Sequence, residues 1–387
     1  MRTKKIIESI FTLAALIFVI SCQREEVIVP EEPKTDIPDD KLAGTPPANV
    51  VGNTQIPNGT FSLLPENNKV ILMNLSGIYD PIAKDWMTLV GTSQPGQNVW
   101  LSLDGKEKGI LVINNKAGEG SKFLLDIVFL IDNSGSMGEE SDAIAREIIA
   151  WAQHLGTKNL DLKFGCIGYN GDVTGATNLT DENQLSQYLN RNTGTMRTMG
   201  FYGADSAALE NKANDPYYEQ AGGECGMVAL QFADKNFNWR PQANRVYINF
   251  TDEPNQPANV PDFSVDFLKD QKNWNTLQGT IHSVFSQDTT SFIEAPGLDE
   301  KPWLMADYTG GTKLFINTDA SDLNLLSMPV TGAIANSYII KFLNTSTVPD
   351  GSHNIVITVQ NPDGTVGAKR EFNNVWFLPP TKFFKNH

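Results

Sequence analysis

Asp132-Asn133-Ser134-Gly135-Ser136 places a carboxylate and two hydroxyls at alternate positions, directly after the nearly unbroken apolar run FLLDIVFLI. These are hard oxygen donors, which suit Mg2+, Mn2+ or Ca2+ and suit Zn2+ or Cu2+ poorly. A calcium EF-hand uses the same alternation but requires Gly at its sixth position and Glu at its twelfth. Here Met137 and Ala143 stand there, and a strand rather than a helix comes before. The His residues at 154, 282, 353 and 387 are scattered without zinc-ligand spacing. GxSxG, GxxxxGK[ST] and HExxH motifs are all missing. The chain therefore reads as a non-enzyme whose chemistry is cation binding.

Such a donor set works only if the elements around it hold it at one place. FLLDIVFLID reads as a fully buried strand, and SDAIAREIIAWAQHL carries apolar residues at 144, 145, 148, 149, 152 and 155, one helical face. The alternation continues with LDLKFGCIGYN as strand, ENQLSQYLN and GMVALQFADKNF as helices, and RVYINFTD as a third buried strand. VDFLKDQKNWNTL is predicted helical, GTIHSVFSQ a strand, KPWLMADYTGG a helix, KLFIN a strand and SDLNLLSMPVTGAIANSY a closing helix. This pattern implies an α/β fold with a doubly wound, mostly parallel sheet, whose ligand belongs at the carboxyl ends of the strands. Asp132 sits at such an end. Asp172, in YNGD, reads as a turn residue.

Both flanks differ in texture. Residues 50–120 and 336–387 carry short apolar stretches between Gly, Pro, Asn and Asp turn signals, as in antiparallel β-sandwich (Ig-like) segments. They form either one sandwich completed across the insertion or two separate ones. Residues 22–49, rich in Pro and carboxylates, read as an acidic tether.

DIVFLIDNSGSM resembles the opening of the von Willebrand factor type A (VWA) domain, whose Asp-x-Ser-x-Ser motif begins a metal-ion-dependent adhesion site. GGECGMVALQFA, RVYINFTDEPN and DYTGGTKLFINTDASDLNLL resemble later parts of the same domain, so the likeness spans residues 121–335. The resemblance implies a VWA/Rossmann-like fold and a metal, Mg2+ foremost with Mn2+ or Ca2+ as alternatives. Ser134 and Ser136 would ligate through their hydroxyls, with Asp132 and Asp252 close by, directly or through water. Where the family usually places a Thr, this chain has Glu224, read either as a ligand or as a solvated loop carboxylate. Thr195 and Thr198 are the fallback. The implied partner is a protein presenting an acidic side chain to the metal.

MRTKKIIESIFTLAALIFVISC has a basic start and an apolar run too short to span a bilayer. Its end resembles a bacterial lipobox, which makes residues 1–21 a lipoprotein signal peptide and Cys22 the lipidated residue. QREEV resembles the signal that sends Bacteroidota-type lipoproteins to the outer face of the outer membrane, with a periplasm-facing anchor as the alternative. The remaining Cys166 and Cys225 either pair in this oxidising compartment or stay as two buried thiols. A net charge of -15 over 387 residues argues against nucleic acid. Two functions fit: a surface lipoprotein that binds a protein partner through the cation, or an assembly component of an outer-membrane complex in which the metal mainly stabilises the fold.

Overall fold

A computed structural model of the chain describes residues 35–114, 123–138, 140–158, 160–191, 201–290 and 292–378. The signal segment, Cys22, and Thr195 and Thr198 lie outside the described residues. The described residues from 36 onward form one compact unit.

Seven short strands come first: β1 (Gly59–Leu64), β2 (Asn67–Leu75), β3 (Tyr79–Asp80), β4 (Asp85–Trp86), β5 (Val99–Leu103), β6 (Lys106–Lys108) and β7 (Leu111–Asn114). The α/β part follows as β8 (Phe123–Asp132), α1 (Ser141–Gly156), β9 (Leu160–Tyr169), β10 (Val173–Thr180), α2 (Glu182–Asn190), α3 (Ala207–Ala213), α4 (Gly226–Asn236), β11 (Asn244–Thr251), β12 (Thr280–Phe285), α5 (Leu304–Thr309), β13 (Lys313–Phe315) and α6 (Pro329–Ala335). Three strands close the described chain: β14 (Tyr338–Leu343), β15 (His353–Gln360) and β16 (Gly367–Val375).

The central sheet has the order β10-β9-β8-β11-β12-β13. Its strands run parallel except β10, which turns back antiparallel on β9 and makes the sheet mixed. β10 was not foreseen; the turn that starts it is closed by the Asn170 N–H on the Asp172 carbonyl (3.0 Å), which fits the reading of Asp172 as a turn residue. β8 lies between β9 and β11 and is covered on both faces, which is why its apolar run is continuous rather than alternating. On one face Ile127, Phe129 and Ile131 share a core with Ile144, Ile148 and Trp151 of α1. On the other, Val128 and Leu130 share a core with Met227, Leu230 and Phe232 of α4.

The flanking β segments form a single unit. Two four-stranded antiparallel sheets, β1-β2-β14-β7 and β16-β15-β5-β6, each draw strands from both sides of the insertion and share one apolar core that includes Phe61, Leu101, Ile340 and Ile357. The insertion leaves and returns at neighbouring strands, with Tyr338 paired to Asn114.

Three expectations change. VDFLKDQKNWNTL forms only two short 3-10 turns, Val265–Lys269 and Thr276–Gln278. Asp270 accepts from Lys272 N–H (2.9 Å) and Asn275 from Leu277 N–H (2.9 Å), local bonds that compete with a helix. The closing helix is split because Pro329 forces Met328 into extended backbone, leaving a 3-10 turn at Leu325–Ser327 and α6 behind it. The end of the supposed tether is docked: Asp40 pairs with the buried Lys108 and accepts from Gly109 N–H (3.0 Å), while Gln97 donates to the Ala43 carbonyl (2.8 Å). A buried ammonium requires such a counter-charge.

Candidate metal centre

The parallel strands deliver the proposed donors to one place by register. Asp132 ends β8 opposite Tyr169 of β9, and Thr251 ends β11 opposite Phe285 of β12, so Asp132 and Asp252 emerge at the same edge of the sheet. From Asp132 the chain turns through Ser134 and a 3-10 turn, Ser136–Gly138, into α1. Ser134 N–H donates to Asp132 Oδ1 (2.9 Å), which folds the turn back on its own carboxylate. Ser134 Oγ lies 2.9 Å from Ser136 Oγ, and Ser136 Oγ donates to Asp252 Oδ1 at 3.1 Å.

These spacings test the fit of a cation. Oxygens about 2.0–2.1 Å from Mg2+ in octahedral geometry stand about 2.9 Å from their neighbours. The two donor spacings, 2.9 and 3.1 Å, are those of hydrogen bonds and are also compatible with that edge. The donor set is all oxygen, as a hard cation requires. The chemistry of these donors therefore fits a hard divalent cation, which Asp132, Ser134, Ser136 and Asp252 would hold. Ser134 and Asp252 are buried and Asp132 wholly so, while Gly135 and Ser136 are exposed, so the cluster opens to solvent at the turn.

The electrostatics agree. Burial pushes the Asp132 carboxyl up to about 7, the Asp252 charge adds to the rise, and hydrogen bonds from Ser134 and Thr251 oppose it. Asp252 is also raised, first by burial and further by the charge of Glu224, against hydrogen bonds from Ser136 and Gln287. Glu253 is raised by burial and by Asp252, Glu224 and Asp299. A divalent ion would relieve the concentration of negative charge.

Glu224 is only partly brought in. Its charge reaches Asp252, but among the described residues no three His, Cys, Asp or Glu side chains gather closely enough to hold a metal by themselves. The suggested disulfide is absent: Cys166 and Cys225 are both free thiols. The sheet separates them, Cys166 packing in the core on the α1 side and Cys225 in the core on the α4 side. Sequence reasoning missed Thr251, whose hydroxyl donates to Asp132 Oδ2 (2.7 Å), and Glu140, whose Oε1 accepts from Ser286 Oγ (3.1 Å) beside the site. The signal for Thr251 was its place just before Asp252 in FTDE; Ser286, in a different strand end, offered none.

A mixed sheet sandwiched by helices, with an Asp-x-Ser-x-Ser turn at its carboxyl edge, has the form of a VWA domain. Residues 126–272 match the von Willebrand factor type A domain family, so the chain contains a VWA domain there. Domains of this family commonly serve protein–protein adhesion and often bind a divalent metal. No curated protein matches the chain. Solved structures similar to it include proximal thread matrix protein 1 from the mussel byssus, at 10% identity and TM-score 0.34, with 59% of this chain and 49% of that one covered. The pilus adhesin SpaC from Lactobacillus rhamnosus GG, in an open conformation, is 11% identical with TM-score 0.32, covering 86% of this chain and 55% of that one. The human COPII-coat protein Sec24c is 7% identical with TM-score 0.30, covering 86% and 63%. The chain spans less than two thirds of each of these proteins.

Proposed function

We propose that this chain is a cell-surface lipoprotein that binds a protein partner through a divalent cation held by Asp132, Ser134, Ser136 and Asp252, Mg2+ foremost and Mn2+ or Ca2+ next. The observation that carries the reading is the linked chain of oxygen donors Ser134, Ser136 and Asp252 beside the buried Asp132 carboxylate, whose own hydrogen bonds come from the Ser134 amide and the Thr251 hydroxyl. When bound, the cation would offer one coordination position to an acidic side chain of the partner. The residues divide the remaining work. Thr251 and the Ser134 amide hold the Asp132 carboxylate in one orientation. Ser134 and Ser136 supply neutral oxygens, which keep the net charge at the cation positive enough to attract an anion. Glu224, Glu253 and Asp299 make the surroundings negative, so an acidic partner gains attraction only with the cation in place. Anchoring is assigned to lipid on Cys22 in the outer membrane, facing outward.

Calorimetric titration of Mg2+, Mn2+ and Ca2+ into the purified protein tests the centre, with Ser134→Ala and Glu224→Thr alongside. The expected result is heat from at least one cation, lost in Ser134→Ala. Absence of heat with every cation overturns the reading. External protease on whole cells tests the location, and full protection would count against surface display.

The complete burial of Asp132 favours a second reading, an assembly component in which the metal mainly stabilises the fold. It is separated from the first by partner binding that survives EDTA while the melting temperature falls.

A further inference from the structure

Ahead of β13, on the side of the sheet away from the strand ends that carry Asp132, the structure has a cavity of about 370 Å3, a size that holds one small ligand. The β3–β4 hairpin supplies one wall with Tyr79, Pro81 and Trp86. Tyr79 and Trp86 are cross-strand partners whose rings meet edge to face at 5.4 Å. The indole is held down by backbone: a Cβ at Gly332 would come within 2.1 Å of it and one at Gly77 within 2.8 Å. Trp86 is thereby fixed and partly covered, while Tyr79 keeps 37% of its surface exposed.

The polar lining divides into groups already engaged and groups left over. Asn53 donates to the Thr365 carbonyl (2.9 Å) and accepts from Gly367 N–H (3.1 Å), the Thr54 hydroxyl donates to the Tyr79 carbonyl, and the Thr312 hydroxyl lies 2.8 Å from His282 Nδ1. These side chains hold the fold. The Gln55 amide and the Tyr79 hydroxyl, by contrast, make no hydrogen bond to any described residue. Asp307 and Lys313 are the only charged side chains among the lining residues, and they pair with each other, Lys313 Nζ lying 2.8 Å from Oδ1 and 3.0 Å from Oδ2 of Asp307. The cavity therefore carries no net charge, in a chain whose total is -15. An ion gains little from such a site, whereas a neutral ligand with one apolar face and several hydroxyls can use every part of it.

We propose that this cavity binds a neutral sugar, one pyranose ring of a glycan, at a site separate from the metal centre. The C–H face of the sugar lies on the Tyr79 ring, whose π face is the negative side of its quadrupole and attracts weakly positive hydrogens. Hydroxyls at the edge of the sugar take the polar groups left over. The Gln55 amide offers both a donor and an acceptor, and the Asp307–Lys313 pair sets an acceptor beside a donor, which two neighbouring hydroxyls complement. An apolar wall with a few placed polar groups is what fixes orientation in small-molecule sites.

The test is calorimetric titration of the purified protein with glucose, galactose, mannose and N-acetylglucosamine, each at constant ionic strength. At least one should bind saturably at millimolar or lower concentration. Tyr79→Ala should weaken that binding about tenfold, the size of a lost aromatic contact, while Tyr79→Phe, which keeps the ring, should largely restore it. Gln55→Ala should weaken it severalfold. Tyr79 and Gln55 are both exposed, so the variants are expected to fold as the parent does, which their melting temperatures check. Glucuronate and glucosamine report on charge, and neither should bind more tightly than the best neutral sugar. EDTA should leave the binding unchanged, which separates this site from the metal centre. Absence of saturable binding by all the neutral sugars, binding that neither Tyr79→Ala nor Gln55→Ala weakens, or a clear preference for a charged sugar overturns the proposal.

Discussion

The Thr251 hydroxyl donates to Oδ2 of Asp132 at 2.7 Å, joining the carboxyl ends of the neighbouring strands β11 and β8. One oxygen of the buried carboxylate is thereby held by the protein's own sheet, while Oδ1 is held by Ser134 N–H.

Thr251→Val keeps the side-chain shape and removes that donor. A buried acceptor left short of a partner costs about 1–3 kcal/mol. Urea denaturation should show a loss in that range, and the cation affinity of the variant should fall by about tenfold or more, as for other groups that orient a metal ligand. Unchanged affinity would show that Thr251 takes no part in positioning Asp132.

Cation binding should also appear as stability. A ligand at about 100 times its Kd adds about 2.7 kcal/mol to the folded state. The melting temperature should rise by a few degrees with saturating Mg2+ and return with EDTA, and Ser136→Ala should abolish the rise. A melting temperature indifferent to Mg2+ in the parent protein would count against the metal centre.

His282 gives a pH dependence of definite sign. Its ring is buried in β12, Nδ1 accepts from Thr312 N–H (3.0 Å), and burial pulls its pKa from 6.5 down to about 3. Above the unfolded value both states are neutral and the contribution is complete. As pH falls below it, the unfolded chain takes up a proton that the folded chain refuses until about 3. Stability should therefore decline on acidification by roughly 1.4 kcal/mol per pH unit from this group across that window. His282→Gln should flatten this limb in denaturation measured across pH; an identical slope in the variant would exclude His282 as its source.

At the opposite end of β8, Asp126 is fully buried and pairs with Arg240 Nε at 2.6 Å, while the Arg240 amide donates to its other oxygen at 2.9 Å. Burial raises the Asp126 pKa and the Arg240 charge opposes the rise. Arg240→Met should cost about 3–5 kcal/mol, because it strands a buried carboxylate. Adding Asp126→Asn should recover part of the loss, and a strictly additive double variant would refute the coupling.

Cys166 and Cys225 should both resist thiol reagents in the native protein and both react after denaturation without reductant. Burial raises both thiols, Cys225 to about 12. Only a protein that shows no free thiol when unfolded would restore the disulfide.

The residues that local chemistry governs were legible without coordinates. The unbroken apolar run of β8 follows from burial on both faces, and α1 buries Ile144, Ala145, Ile148, Ala152 and Leu155 as its period requires. Ile149, expected on that face, is only partly covered, and Trp151 is buried in addition. Asp132, Ser134 and Ser136 were legible because they are neighbours in one turn. Helical expectation failed at residues 265–277 and at Met328, where Asx turns and a proline outweighed the apolar period.

Other features depend on pairings between distant segments, which no local pattern encodes. Register across β8, β11 and β12 brought Thr251 and Asp252 to Asp132, and the same sheet, by standing between Cys166 and Cys225, kept them apart. The flanking β segments became one unit because β14 inserts between β2 and β7 and β15 pairs with β5. The kind of oxygen donors and the strand that presents them were thus written in one short stretch of chain. Their partners were settled by the folded whole, because strand register and the choice of sheet face follow from burial over the entire core.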